Sequence, residues 1–142
     1  MGLFDKLLGK EKDYPAVDPS TPGADRLEEI KPRIESLAQK VKDNFEVVVA
    51  DNAEYILIGK PPSAFGVAWF EDGKVNNIKA LMQEKNLSQI QVQVISDKLR
   101  EAYERSGDAP RYATTIASRR VVFTPSKALG QDISSIIHEV TG

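Results

Sequence analysis

One stretch of the chain, residues 45–70, constrains the fold more than any other. Sixteen of its 26 residues are apolar, four are charged, and it holds five of the ten aromatic residues of the chain. Short apolar runs that are cut by turn-forming residues are typical of β-strands, and their aromatic and β-branched side chains favour burial. The stretch therefore predicts a sheet at the core of the protein.

The first two strands of this stretch are predicted to form a hairpin. The runs FEVVVA and AEYILIGK are separated only by residues 51–52, an Asp-Asn pair that tolerates the positive φ angles of a two-residue turn. Such a turn pairs Val48 with Tyr55, and Leu57 then lies on the same face together with Glu46. That face is more apolar than a solvated face usually is, so we expect something to cover it. On the opposite face, this register places four apolar residues together: Phe45, Val47, Ile56 and Ile58.

Helices are predicted on both sides of this stretch. Apolar residues recur every three or four positions over residues 25–45, which indicates a helix that begins at Asp25 and is kinked at Pro32. Ser88 and Gln91 fit a capping box at the start of a helix over residues 88–106. A final helix follows residue 125, with Gly130 as a point where it could break.

The remaining segments complete the predicted order of elements. Residues 64–70 indicate a third strand inside the sheet, and residues 74–76 fit either a short strand or, preferably, the start of a helix. Residues 112–124 form one long strand or two shorter ones. The order α-β-β-β-α-α-β-α predicts an α+β fold, with a mainly antiparallel four- to five-stranded sheet and helices packed on it.

The first 23 residues are predicted to stand apart from a single domain over residues 24–142. Residues 10–23 are charged and then rich in proline, which is typical of a linker. A short amphipathic segment precedes them, and its apolar side chains are a candidate partner-binding element: Leu3, Phe4, Leu7 and Leu8.

Composition narrows the functional classes. The net charge is −2 and the pI is about 5.5, which argues against nucleic acid as a partner. The chain contains no cysteine, so disulfides, thiolate catalysis and sulfur-ligated zinc are excluded. It also lacks the 18-residue apolar run of a membrane span and the pattern of a signal peptide. We expect a cytoplasmic protein.

No motif in the sequence predicts catalysis, a metal site or a cofactor. His138 is the one histidine and has no neighbouring ligand in sequence; we expect it to interact with the end of its helix. The Gly-Lys pair at residues 59–60 is followed by two prolines rather than by a helix, which excludes a phosphate-binding loop.

Two functional hypotheses remain. The first is a non-enzymatic protein-interaction or regulatory module, which leaves a protein partner or self-association open. The second is a small-ligand-binding domain or an enzyme that uses an apolar face of the sheet. Its candidate ligand-binding residues are Val48, Tyr55 and Leu57, and Arg119 and Arg120 are candidates to bind an anionic group of the ligand.

Overall fold

The structure is a computed structural model that describes residues 14–50, 53–71 and 74–141. Within these residues the chain forms four helices and six strands. In chain order they are α1 (Pro22–Lys40), β1 (Phe45–Val49), β2 (Glu54–Lys60), β3 (Ala64–Glu71), β4 (Lys74–Asn77), α2 (Ile78–Glu84), α3 (Gln89–Arg105), β5 (Tyr112–Ile116), β6 (Arg119–Pro125) and α4 (Lys127–Thr141).

All six described strands belong to one sheet, in the order β4-β3-β2-β1-β6-β5. Neighbouring strands are antiparallel except for β1 and β6, two interior strands that run parallel. The α+β class with packed helices is confirmed, but the sheet is mixed and has six strands instead of four or five. The added strands are the short β4, where we favoured a helix, and the division of residues 112–124 into β5 and β6.

The predicted hairpin register is confirmed. Val48 pairs with Tyr55, and Phe45 pairs with Ile58 at the far end of the two strands. The two faces of the hairpin enter two separate buried clusters, as their alternation requires. Both faces of the sheet are therefore covered by helices.

Helix α1 covers the first face. It begins three residues before the predicted start because Thr21, rather than Asp25, is its N-cap and Pro22 occupies the first turn. It also runs through Pro32 to Lys40 as one element. The buried residues that pack it on this face are Leu27, Ile30, Ile34, Leu37 and Ala38.

Helices α2, α3 and α4 cover the second face. The predicted capping box of α3 is present, because the Ser88 and Gln91 side chains each bond to the other residue's backbone N–H. The predicted break at Gly130 is absent, since α4 is continuous. Buried residues of the three helices that join this cluster are Ile78, Ile95, Leu99, Ala102, Leu129, Ile133, Ile136 and Val140.

Part of the segment predicted as a linker contacts the outer edge of the sheet. Ala16 forms a parallel bridge with Ala113 of β5. The Ala113 N–H donates to the Pro15 carbonyl at 2.8 Å, and the Val17 N–H donates to the Ala113 carbonyl at 3.3 Å. The edge of β5 is thus partly paired. The candidate partner-binding residues Leu3, Phe4, Leu7 and Leu8 lie outside the described residues.

Candidate ligand cleft

A cleft of about 640 Å³ lies where β2, β3 and β4 meet α2 and α4. It occupies the edge of the second face, next to the buried cluster to which its lining residue Tyr55, 6% exposed, belongs. Its described lining is half aromatic and apolar and half hydrogen-bonding: Tyr55, Trp69, Phe70, Val75, Asn76, Asn77, Ala80, Leu81, Glu84, Ser134, Ile137, His138 and Thr141.

The floor of the cleft is a row of side chains across three strands. Tyr55 of β2 is directly opposite Trp69 of β3, and Trp69 is directly opposite Asn76 of β4. Directly opposed residues point to the same face of a sheet, so the two aromatic side chains and the amide lie side by side. The antiparallel register of three strands therefore builds this floor.

The walls come from two helices. Helix α2 begins directly after β4, and the Asn77 side chain caps it by accepting a hydrogen bond from the Ala80 N–H at 2.7 Å. Glu84 is the last residue of this helix. On α4, Ser134, His138 and Thr141 recur at helical spacing and face the same cleft.

A smaller recess of about 180 Å³ adjoins the cleft. Both are lined by Tyr55 and Ser134, and the recess continues along α4 toward its N-terminus. The other residues that line it are Ala50, Ala53, Lys127, Gly130 and Gln131.

Gly130 sets the distance between α4 and the β1–β2 hairpin. A Cβ atom at this position would lie 2.3 Å from the Cβ atom of Ala50, closer than two such carbon atoms can approach. The helix therefore rests directly on the hairpin at this point, and the space beside the contact is the small recess. The glycine that suggested a break is instead a packing residue.

The charges of the two compartments differ in sign. Glu84 is the only formally charged residue among the described residues that line the larger cleft. Lys127 is the only formally charged residue among the described residues that line the smaller recess. The cleft itself thus favours a neutral or cationic ligand.

His138 and Ser134 are one helical turn apart, a spacing that can bring a base to a hydroxyl. The His138 Nδ1 atom lies 3.0 Å from the backbone oxygen of Ser134, a contact that a protonated Nδ1 makes as a donor. The ring is therefore held against its own helix, and this contact does not direct it at the Ser134 hydroxyl.

The structure divides the predicted ligand-binding residues into two groups, because Val48, Tyr55 and Leu57 share one buried cluster and the two arginines lie outside it. Val48 and Leu57 are buried beneath the helices, with at most 1% of either residue exposed. Tyr55 lines the cleft.

The two arginines lie elsewhere and do not line the cleft or the recess. The Arg119 guanidinium stacks on the Phe45 ring at 5.4 Å and donates to the Asp43 carbonyl at 3.3 Å. The Arg120 guanidinium lies 5.6 Å from the Tyr14 ring centroid.

A second polar cluster is buried under the C-terminal end of α3. Arg111 and Glu46 form an ion pair at 3.1 Å, and both side chains are 7% exposed. The Tyr103 and Thr124 hydroxyls donate to the same carboxylate at 2.6 and 2.7 Å. The polar atoms of buried side chains in the described residues all have hydrogen-bond partners. We assign this cluster a structural role, because it joins α3 to the sheet and lines neither the cleft nor the recess.

Burial, and after it the Glu46 charge, raise the pKa of the Tyr103 hydroxyl above its ordinary value. Burial also raises the pKa of Tyr14. For Arg111, burial is the largest single effect and opposes the charged form, but the charge and hydrogen bond of Glu46 together with the nearby Tyr103 and Tyr14 outweigh it, so the net pKa is raised. All three shifts favour the protonated forms at neutral pH.

The described residues contain no group of three or more His, Asp or Glu side chains placed to hold a metal ion. None of the helices in the described ranges combines the length and apolarity needed to cross a membrane. Comparison of the chain with protein-family models, with curated proteins and with solved structures found no match.

Proposed function

We propose that the protein is a small-ligand-binding module whose binding site is the cleft between α4 and strands β2–β4. The observation that supports this proposal is the floor of the cleft, where Trp69 and Tyr55 lie side by side and hydrogen-bonding groups line the same cleft. Binding sites for small molecules usually combine an apolar, aromatic surface with a few polar groups that orient the ligand.

The chemistry of the lining selects a planar ligand that is neutral or cationic. Aromatic faces attract flat rings and cations, and Glu84 adds the only formal charge among the described lining residues. An anionic ligand would meet this carboxylate without a compensating cation in the larger cleft.

Binding is favoured over catalysis by the arrangement of the titratable groups. The His138 ring contacts a backbone carbonyl, so its Nδ1 is engaged away from the Ser134 hydroxyl. A nucleophile activated by a base needs a hydrogen bond between the two side chains. The described lining residues do not provide such a pair.

Three probes of matched size test the proposal: benzamidinium, benzamide and benzoate. Trp69 is the only tryptophan of the chain, so its indole N–H gives a single assigned reporter in heteronuclear NMR spectra. Each probe has about nine non-hydrogen atoms, and we expect Kd values of about 1 mM for the better ones. The affinity should fall from benzamidinium to benzamide to benzoate.

Two variants test whether the probes bind in the cleft or elsewhere on the surface. Glu84→Gln should remove most of the preference for benzamidinium over benzamide, about threefold for an exposed charge. Glu104→Gln, an exposed glutamate of α3 outside the cleft, should leave it unchanged. If none of the probes shifts the Trp69 indole resonance, the proposal is wrong.

A second candidate function is self-association through the N-terminal half of α3. Ile90 is 78% exposed and Val94, one turn further on, is 46% exposed. Residues 86–96 carry no charge, so two copies could place this face against itself without burying like charges. This observation favours a homodimer over a charged partner.

The dimer should be weak, with a Kd of roughly 10 µM or above, because one helix face buries less than the ~800 Å² per partner of a stable interface. Sedimentation over a range of protein concentrations measures it. Ile90→Gln should shift the chain to monomer, whereas Val75→Gln, at an exposed valine of β4, should not. Equal behaviour of the two variants would rule the interface out.

A further inference from the structure

We infer that the cleft binds a primary arylalkylamine, a small ligand whose aromatic ring lies on the Trp69 floor and whose ammonium group lies near Glu84 and the C-terminal end of α4. This inference rests on the proposed function, because it names the ligand class of the same site. A short flexible linker joins the ring and the charge of such a ligand.

The aromatic floor and the carboxylate of the cleft belong to opposite ends of α2. The helix starts beside the floor, because its N-cap Asn77 directly follows the β4 residue that is opposite Trp69. Glu84 ends the helix seven positions later, about 10 Å along its axis. A ligand that meets both features therefore carries its ring and its charge on separate groups.

Glu84 gives this end of the cleft a negative charge. It is exposed, and none of the ion pairs between described residues includes it. The backbone acts in the same sense, because α4 ends at Thr141, which also lines the cleft, and the C-terminal end of a helix dipole is negative. A side chain and a helix end therefore both favour a cationic group here.

The polar groups of α4 in this part of the cleft present hydrogen-bond acceptors. The Thr141 hydroxyl donates its proton to the His138 carbonyl at 3.3 Å, so its oxygen keeps lone pairs for a ligand. The His138 Nδ1–H is directed at the Ser134 carbonyl, so in the neutral ring the Nε2 atom is an acceptor. A primary ammonium group has three donors and no acceptor, and it therefore complements these atoms and the Glu84 carboxylate.

Trp69 provides most of the aromatic surface for the ring of the ligand. It is half-buried, whereas Tyr55 is only 6% exposed. Offset stacking or an edge-to-face contact with the indole would hold a phenyl ring there. The cleft of about 640 Å³ is larger than one ring needs, which leaves room for the linker and the ammonium group.

Three amines and their matched alcohols test the inference: benzylamine, phenethylamine and 3-phenylpropylamine, each with the alcohol of the same linker length. Titrations at about pH 8 keep the amines charged, since alkylammonium groups lose their proton near pH 10. The Trp69 indole resonance reports binding, and we expect Kd values of about 1 mM for the alcohols. The preference for the amine should rise with linker length to about tenfold, because an exposed ion pair and a helix end contribute about threefold each.

Two variants at Glu84 test the position of the ammonium group. Glu84→Gln should reduce the preference for 3-phenylpropylamine over its alcohol from about tenfold to about threefold and leave the affinity for the alcohol unchanged. Glu84→Asp retains the charge and should keep most of the preference. Glu35→Gln, at an exposed glutamate of α1 on the other face of the sheet, is the matched control and should leave the preference unchanged.

A quaternary ligand tests which end of the cleft holds the charge. Trimethylation of the 3-phenylpropylamine nitrogen keeps the charge but removes its three N–H donors, so we expect severalfold weaker binding. A cation that lies on an aromatic face needs no N–H donor. Tighter binding of the quaternary form would therefore place the charge on the Trp69 floor and contradict the inference.

The outcomes separate this inference from the proposed function. If benzamidinium shifts the Trp69 resonance but each amine binds no better than its alcohol, the cleft is a binding site and the amine assignment is wrong. An amine preference that is equal at all linker lengths would rule out the separation of ring and charge. If no probe of either kind moves Trp69, both proposals fail together.

Discussion

At Gly130 the absence of one side chain decides how closely a helix approaches the sheet. A glycine inside a helix lowers its stability by roughly 1 kcal/mol relative to alanine, so its presence there needs a reason. The reason is the Ala50 side chain, which occupies the space that a Cβ atom would need. Sequence periodicity identifies the residue but not its partner, because Ala50 lies 80 positions earlier in the chain.

Gly130→Ala should therefore lower the free energy of unfolding, although alanine is the better helix former. Overpacking costs about 1–3 kcal/mol, and the gain in helix propensity offsets only about 1 kcal/mol. Urea denaturation measures the change. Ala50→Gly in the same chain should restore much of the loss, and Ser135→Ala, at an exposed position of α4, should not destabilise. A stabilised Gly130→Ala variant would contradict the contact.

At the scale of elements, local signals were sufficient for some features and insufficient for others. The β1–β2 register followed from a two-residue turn and the alternation of side chains, which act within 14 residues. The split between β5 and β6 was open because its turn residues, Ala117 and Ser118, have positive φ angles but are not the glycine or asparagine that usually mark such turns. The parallel pairing of β1 with β6 has no local signal.

The residues of the candidate site were also only partly predictable from local signals in the sequence. Tyr55 was identified from the sheet face that it shares with Val48 and Leu57, but those two residues are beneath helices and only Tyr55 reaches the cleft. Trp69 was not among the predicted ligand-binding residues, since an aromatic residue in an apolar strand is usually buried. The cleft arises where α2 and α4 end beside three strands, and no spacing along the chain indicates which residues meet there.

For the molecule as a whole, the buried cluster around Glu46 links stability to pH. Glu46 from β1, Thr124 from β6, Tyr103 from α3 and Arg111 from the loop after α3 meet in one network. Deprotonation of Tyr103 would place a second negative charge beside the Glu46 carboxylate. The pKa of Tyr103 is raised for this reason as well as by burial.

The free energy of unfolding should therefore fall as pH rises above about 10, where the unfolded tyrosine loses its proton and the folded one retains it. Each such group contributes a slope of up to about 1.4 kcal/mol per pH unit. Tyr103→Phe should be less stable at neutral pH, because it loses a hydrogen bond, and should show a shallower alkaline decline. The variant should keep part of the alkaline decline, because the pKa of Tyr14 is also raised.

Denaturation series at several pH values between 8 and 11 would measure this decline, with Tyr112→Phe on the other face of the sheet as the matched control. If the slope is identical in the parent chain and in Tyr103→Phe, the network does not raise the pKa of the Tyr103 hydroxyl.

The parallel pair of β1 and β6 also has a consequence for how the chain is made. Phe45 of β1 pairs with Val121 of β6, so 76 positions separate the partners of this parallel pair. At synthesis rates of about 5–20 residues per second, β1 leaves the ribosome roughly 4–15 seconds before β6. During that interval the most apolar strand of the protein has an unpaired edge. An unpaired apolar edge of this kind favours aggregation, so the last strand of the chain protects the first one.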